Sequence, residues 1–254
     1  MHIKDFCTLM DEIAPPDLAF GGDNVGLLVG TDRSEIKTVL VALDCTKDVL
    51  AEAVEKGADL ILTHHPILWN PARRLSPDDS ETAIPYGLMR HGIALFAAHT
   101  NLDAAKGGVN DCLAQLLGLQ NIRPLPPENL GRMGELPQEL RLGEFLTLCG
   151  KRLNTAPRYQ GDKEACIRTV ALIGGGGGGD VLHAAAAGAQ AYLTGDVKHS
   201  DALTAQNVGI ALVAAGHYET ESVVLRPLAK RLQKAANDVQ YIVTATEKPA
   251  LMCC

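Results

Sequence analysis

Ala58-Asp59-Leu60-Ile61-Leu62-Thr63-His64-His65-Pro66 carries a short aliphatic run straight into two imidazoles and a proline. An apolar run of this length reads as a buried β-strand. Pro66 lacks a backbone donor and pushes His65 towards extended geometry, so the strand's hydrogen-bond ladder is expected to stop there. Side chains alternate along an extended chain, which predicts that His64 and His65 splay to opposite faces. They stand at a strand's C-terminal end, where open α/β sheets bind ligands. Neutral imidazole is the commonest metal-binding side chain. On the pair alone, a metal-ligand role and a hydrogen-bonded loop role are equally open.

The flanking segments alternate between strand and helix. Residues 37–44 form a strongly apolar strand, and Thr46 can cap a helix that Gly57 ends. Residues 81–90 read as helix and 93–98 as strand, which runs into His99-Thr100-Asn101-Leu102-Asp103. Earlier, Phe6, Leu9, Met10 and Ile13 mark one face of a helix over 3–14. Gly21-Gly22-Asp23-Asn24 turns into a short strand at 27–29, and Asp23 reads there as a turn residue bonded to its own backbone. Later come helices at 109–117, 142–153, 200–206 and 220–236, and strands at 167–173, 191–193, 210–215 and 239–244. Such alternation predicts an α/β fold with parallel sheets. Pro124, Pro126, Pro127 and Pro137 shift the composition over 123–138. This predicts a boundary between a first domain, 1–124 with 215–254, and a second, 125–214.

An internal repeat underlies the alternation. Ile36-Lys37-Thr38-Val39 matches Ile167-Arg168-Thr169-Val170, and at the same offset Gly57-Ala58 matches Gly188-Ala189 and Leu62-Thr63 matches Leu193-Thr194. Further on, the run from Gly92 to Ala98 matches that from Gly209 to Ala215. Agreement in one register across several elements predicts two related α/β units. Both copies end alike: His99 precedes Asp103 by four residues, and His217 precedes Glu221 by four. On a helical turn that spacing puts both side chains on one face. With His64-His65, a metal site can be drawn from His64, His65, His99, Asp103, His217 and Glu221. Nitrogen and carboxylate donors without thiolate suit zinc, iron or manganese. The set exceeds what one open tetrahedral zinc needs and suits two bridged metals.

Composition narrows the function. A hydrophobic share of 46% with only 4% aromatic residues implies a large aliphatic core. A net charge of -7 argues against a general nucleic-acid surface. No run is long and apolar enough to span a bilayer, and Met1 to Phe6 lack the pattern of a signal peptide. Seven scattered cysteines without C-x-x-C fit a reducing cytoplasm, with Cys253-Cys254 read as a tail rather than a metal pair. The run Gly174 to Gly179 reads as a tight turn, with a phosphate cradle as the minority reading because it lacks the Lys-Ser/Thr of a P-loop. Asp44, Asp196 and His199 stand near strand ends as substrate-contact or supporting candidates.

At Asp23-Asn24-Val25-Gly26-Leu27, Thr63-His64-His65-Pro66, Ala98-His99-Thr100-Asn101-Leu102-Asp103, Thr194-Gly195-Asp196 and Gly216-His217-Tyr218-Glu219-Thr220-Glu221, the chain resembles the NIF3-like family, also known as GTP cyclohydrolase 1 type 2 homologs. The resemblance implies two α/β units with a dinuclear metal site between them. It implies His64, His65, Asp103, His217 and Glu221 as ligands, Glu221 bridging, with His99 nearby and not itself a ligand; within reach but unbound, His99 is the candidate catalytic proton shuttle. The resemblance further implies a homohexameric ring and a metal-activated water attacking a small, nucleotide-type substrate. A metal-organised binding scaffold without turnover and a metal-dependent phosphoesterase are the rival readings. Gly22 stands where the family often has Trp, and the large insertion of some members is absent.

Overall fold

The computed structural model of the chain describes residues 1–252, so Cys253-Cys254 lie outside the described residues. The strands, in chain order, are β1 (Gly26–Val29), β2 (Thr38–Ala42), β3 (Leu60–Thr63), β4 (Ala94–Ala97), β5 (Gln120–Pro124), β6 (Arg132–Arg141), β7 (Arg158–Gln160), β8 (Cys166–Ile173), β9 (Ala191–Thr194), β10 (Ala211–Ala214) and β11 (Gln240–Val243). They form two sheets, each in its own compact unit, and the α/β class holds for both.

The first unit comprises Met1–Lys106 and Leu225–Lys248. Its sheet runs β1-β4-β3-β2-β11, parallel except for β1. Val39 to Ala42, Leu60 to Thr63 and Ala94 to Ala97 are buried throughout, as parallel strands covered on both faces must be. Leu40, Ile61 and Leu95 pack with Val49, Ala53 and Leu88 on one face. On the other, Phe6 meets Phe96 edge to face at 5.9 Å. Helix Lys47–Lys56 is capped by Thr46, whose Oγ1 accepts from Val49 N at 3.2 Å, and stopped by Gly57 at φ 64°.

The second unit is Gly107–Val224, with the residues from Pro249 grouped to it. Its sheet runs β5-β6-β8-β9-β10-β7. β8, β9 and β10 are parallel, with β5, β6 and β7 antiparallel to their neighbours. Successive residues feed opposite faces: Val170, Leu172, Leu193 and Val213 pack with Phe145, while Ala171, Ile173, Tyr192 and Leu212 pack with Val181 and Ala184.

The chain passes between units at 106/107 and 224/225, not at 124/125 and 214/215. The prolines that suggested a linker lie in and around sheet strands. Pro124 ends the edge strand β5, and Pro137 sits where the β6–β8 register shifts between Glu135 and Leu140. Edges and bulges are the places where a sheet tolerates proline. Helix His217–Glu221 and the turn after it pack on helix Val109–Leu116, which keeps both segments in the second unit.

The repeat is real in three dimensions. β2-β3-β4 and β8-β9-β10 are each three successive parallel strands in chain order. Gly57 and Gly188, and Gly92 and Gly209, all have positive φ at helix ends or turns. Asp59 Oδ2 accepts from the backbone N of Lys37 (2.8 Å) and Thr38 (3.1 Å). At the matching place, Gln190 Oε1 accepts from Arg168 N (2.9 Å) and Thr169 N (3.0 Å). One clasp is thus made twice with different side chains.

Among the described residues, no helix is long and apolar enough to cross a membrane. Cys7, Cys45, Cys112, Cys149 and Cys166 are free thiols, and burial pushes those of Cys45 and Cys149 up to about 12.

Candidate metal centre

In the first unit the C-terminal ends of β3 and β4 bring three imidazoles together. β3 stops at Thr63, and the Thr63 hydroxyl donates to the His65 carbonyl at 2.8 Å, turning the chain. His64 N and His65 N still donate to the Ala42 and Leu43 carbonyls at 3.2 and 2.9 Å, yet the two side chains do not splay: their ring centroids are 5.0 Å apart. His99, just past β4, is 5.2 Å from His64 and 5.7 Å from His65. Each ring offers one nitrogen, and these nitrogens lie within 4.8 Å of one another, close enough to hold a metal ion. Asp103, one helical turn after His99 and 6% exposed, brings Oδ1 to 3.6 Å from His64 Nε2.

The outer contacts fix which nitrogen is available. His64 Nδ1 donates to the Ala98 carbonyl at 2.9 Å, which a carbonyl can only accept. His65 Nδ1 donates to Asp44 Oδ1 at 2.9 Å, and His99 Nδ1 to the two Asp23 oxygens at 2.9 and 3.0 Å. All three rings thus carry a proton on Nδ1, which leaves Nε2 as the nitrogen turned away from these partners. Metal-binding histidines are oriented in this way by carboxylate or carbonyl partners.

Asp23 also accepts from the backbone N of Thr100 at 3.1 Å and from its hydroxyl. Burial raises the Asp23 pKa, but the hydrogen bonds from Thr100 and His99 outweigh it and hold the carboxyl below its usual range. Burial, then the neighbouring His64, lower the His99 pKa, and Asp23 offsets this only in part. His99 is accordingly a neutral base at neutral pH.

The second unit repeats the pattern on the helix His217–Glu221. His217 Nδ1 donates to Asp196 Oδ2 at 2.8 Å, and its Nε2 lies 3.1 Å from Glu221 Oε2 across one helical turn. Glu221 is 3% exposed. The loop Gly174–Gly175 packs on it: a Cβ at Gly175 would stand 1.9 Å from Glu221 Oε1, and the residue has φ +63°. The backbone N–H groups of Gly174, Gly175 and Gly177 donate to Asn110 Oδ1, Thr220 Oγ1 and Thr194 Oγ1 at 2.8, 3.0 and 3.0 Å. Those donors are used inside the protein, so this part of the glycine run is a tight support for Glu221 rather than a phosphate cradle.

The donor set fits divalent metal. In the four imidazoles Nδ1 is tied to a carbonyl or carboxylate, and each unit adds one nearly buried carboxylate, Asp103 beside His64 and Glu221 beside His217, rather than a thiolate. This is borderline chemistry of the zinc, iron and manganese type. The structure gathers His64, His65, His99 and Asp103 in the first unit, and His217 and Glu221 in the second. The sequence reading did not assign two of the supports, Asp23 and Asp44, to a histidine. Asp23 looked like a turn residue, and nothing local distinguishes it. Asp44 was legible in principle: the parallel register Val41↔Leu62 and Ala42↔Thr63, continued by two residues, sets it beside His65. Asp196, already a supporting candidate, does hold His217. His183 pairs with Asp180 at 3.0 Å.

The chain is similar over nearly its whole length to known proteins. The profile of the Duf34/NIF3 (NGG1p interacting factor 3) family matches residues 1–249. A Clostridium perfringens protein named GTP cyclohydrolase 1 type 2 homolog is 34% identical over 256 residues, covering 98% of each chain. One of the same name from Streptomyces coelicolor is 36% identical over 232 residues, covering 87% of this chain and 81% of the relative. Among solved structures, a hypothetical protein of Staphylococcus aureus is 31% identical with a TM-score of 0.93, covering 100% of this chain and 99% of that one. Reduced HcgD from Methanocaldococcus jannaschii is 33% identical with a TM-score of 0.84, covering 96% and 98%.

Proposed function

The chain belongs to the Duf34/NIF3 family, and from that membership we propose that it is a hydrolase dependent on two divalent metal ions, acting on a nucleotide-type substrate in the manner of a GTP cyclohydrolase. One observation carries the reading: in both units the candidate imidazoles have Nδ1 tied to a fixed carbonyl or carboxylate, the orientation that metal-binding histidines take from such partners. In this proposal His64, His65, Asp103, His217 and Glu221 would hold the ions, and Glu221 would be shared between them. The ions, when bound, supply Lewis acidity that brings the pKa of water towards neutrality.

His99 moves the proton. Its Nε2 is unprotonated at neutral pH, so it accepts a proton from the attacking water while Nδ1–H stays on Asp23. The Asp23 carboxylate remains ionised and steadies the imidazolium that forms. His99 then returns the proton to the leaving nitrogen or oxygen. In a cyclohydrolase the attacked atom is the guanine ring carbon between two nitrogens.

Elemental analysis and turnover of purified variants test the assignment. His64→Ala and Glu221→Ala lose metal and activity. His99→Ala keeps its metal and loses roughly 10²- to 10⁴-fold in turnover. Full metal retention by Glu221→Ala rejects its bridging role. Absence of turnover on GTP and on a generic phosphodiester with zinc, iron and manganese would favour a metal-organised binding protein. The resemblance also leads us to propose a cytoplasmic homohexamer, which sedimentation rejects if the chain is monomeric.

A further inference from the structure

We propose that the indole of Trp69 is the platform on which a flat heterocycle of the substrate stacks, beside the imidazoles of the first unit. The inference rests on the small-molecule reading above and narrows the ligand to compounds carrying a planar aromatic ring.

Trp69 is the single tryptophan in an aromatic-poor chain, and it is 59% exposed. A large aromatic side chain is normally used to fill a core. Here it is left in water, yet it is held in place. Its ring stands edge to face with His99, centroids 5.7 Å apart and planes at 85°. The residue before it, Leu68, has φ 58°, a left-handed conformation that a branched side chain adopts only when its surroundings impose it. Asn24 is one such constraint: its Nδ2 donates to the carbonyls of Leu68 (3.0 Å) and Ile67 (3.4 Å). The Asn24 backbone N donates in turn to Asp23 Oδ1 at 2.8 Å, and Asp23 holds His99. A single two-residue segment, Asp23-Asn24, thus fixes both the proton-accepting imidazole and the indole next to it. Backbone strain spent on presenting an exposed aromatic face beside a reactive base has a recognition purpose: flat rings stack on such faces whatever their exact substituents.

Because Trp69 is the chain's one indole, its emission reports on this place alone. Full-length protein is titrated with GTP, ATP, UTP and, as a control without a ring, inorganic tripolyphosphate, with and without zinc. Metal content is measured in the same samples. We expect saturable quenching by the nucleotides and none by tripolyphosphate. In equilibrium dialysis, Trp69→Leu weakens nucleotide binding by roughly 5- to 150-fold and Trp69→Phe restores most of it. Nucleotide bound without a change in emission, or bound equally by Trp69→Leu, overturns the inference. So does failure of every nucleotide to bind metal-loaded protein, which leaves the metal reading standing. Quenching in a chain that takes up no metal keeps the stacking site and rejects the metal reading. A changed oligomeric state in Trp69→Leu assigns the indole to a contact between copies and also overturns it.

Discussion

The supports behind the imidazoles decide what each ring can do. Asp44 and Asp23 hold His65 and His99 through Nδ1, and neither is itself among the proposed ligands. Residues in this position typically matter 10- to 100-fold to metal affinity or activity. Asp44→Ala is therefore expected to weaken metal binding by about that factor, read by competition with a chromogenic chelator. Asp23→Asn is expected to keep metal and lose turnover by about the same factor, because an amide can turn its NH2 to His99 and favour the wrong tautomer. Equal loss of metal in both variants would show that the two aspartates do not divide the work in this way. The ligand candidates themselves were legible in the chain, since His64-His65 and the two four-residue spacings carry their own signal. The tie between Asp23 and His99 was not, because an aspartate in a Gly-Gly-Asp-Asn turn reads the same whether it faces solvent or a histidine from 76 positions away.

Within elements, the glycine loop and the Glu52 clasp give the sharpest expectations. Gly175→Ala forces a methyl group towards Glu221 Oε1 from a backbone at positive φ, whereas Gly179 has open space around it. The first substitution should cost about 1–3 kcal/mol and lower metal content; the second should stay within roughly 0.5 kcal/mol. Chemical denaturation of both variants checks the contrast. Glu52, buried on helix Lys47–Lys56, accepts from the Thr244 hydroxyl (2.5 Å) and from the backbone N of Ala245 (3.1 Å) and Thr246 (3.3 Å). Burial raises its pKa, but these bonds outweigh that and leave it below 4.5. A carboxyl with a depressed folded pKa stabilises above its unfolded value and loses that contribution as pH falls through the folded one. Glu52→Gln should thus be less stable at neutral pH by about 1–3 kcal/mol and converge with the parent chain in acid. A constant difference down to strong acid would assign the effect to packing. Elements with strong periodicity, such as β3 and the capped helix after β2, were readable from the sequence. β5, β6 and β7 were not, because prolines and charged residues in or beside a strand look like linker until a partner strand is known.

For the whole molecule, metal should act as a stabilising ligand. Binding to the folded chain alone adds about 2.7 kcal/mol at a free concentration 100 times Kd. Thermal unfolding with zinc and with chelator measures the shift. If ligands come from both units, His64→Ala in the first and Glu221→Ala in the second each abolish it. A shift that survives one of them confines the ions to the other unit's residues. The duplication explains why so much of the architecture could be seen beforehand: one register repeated twice is strong evidence that no single copy supplies. It also explains what was misplaced, since the matching strands say nothing about where the chain passes from one copy to the other.

That passage has a consequence during synthesis. β11 lies beside β2 in the first sheet, with Gln240 opposite Thr38, yet the ribosome delivers it only after the whole of Gly107–Val224. Until then the nascent polypeptide carries β2 with a bare edge and Glu52 without its clasp, the condition in which strands recruit foreign partners. The domain begun first is finished last, and a transcript truncated after Val224 should yield a chaperone-bound or insoluble product rather than a soluble fragment.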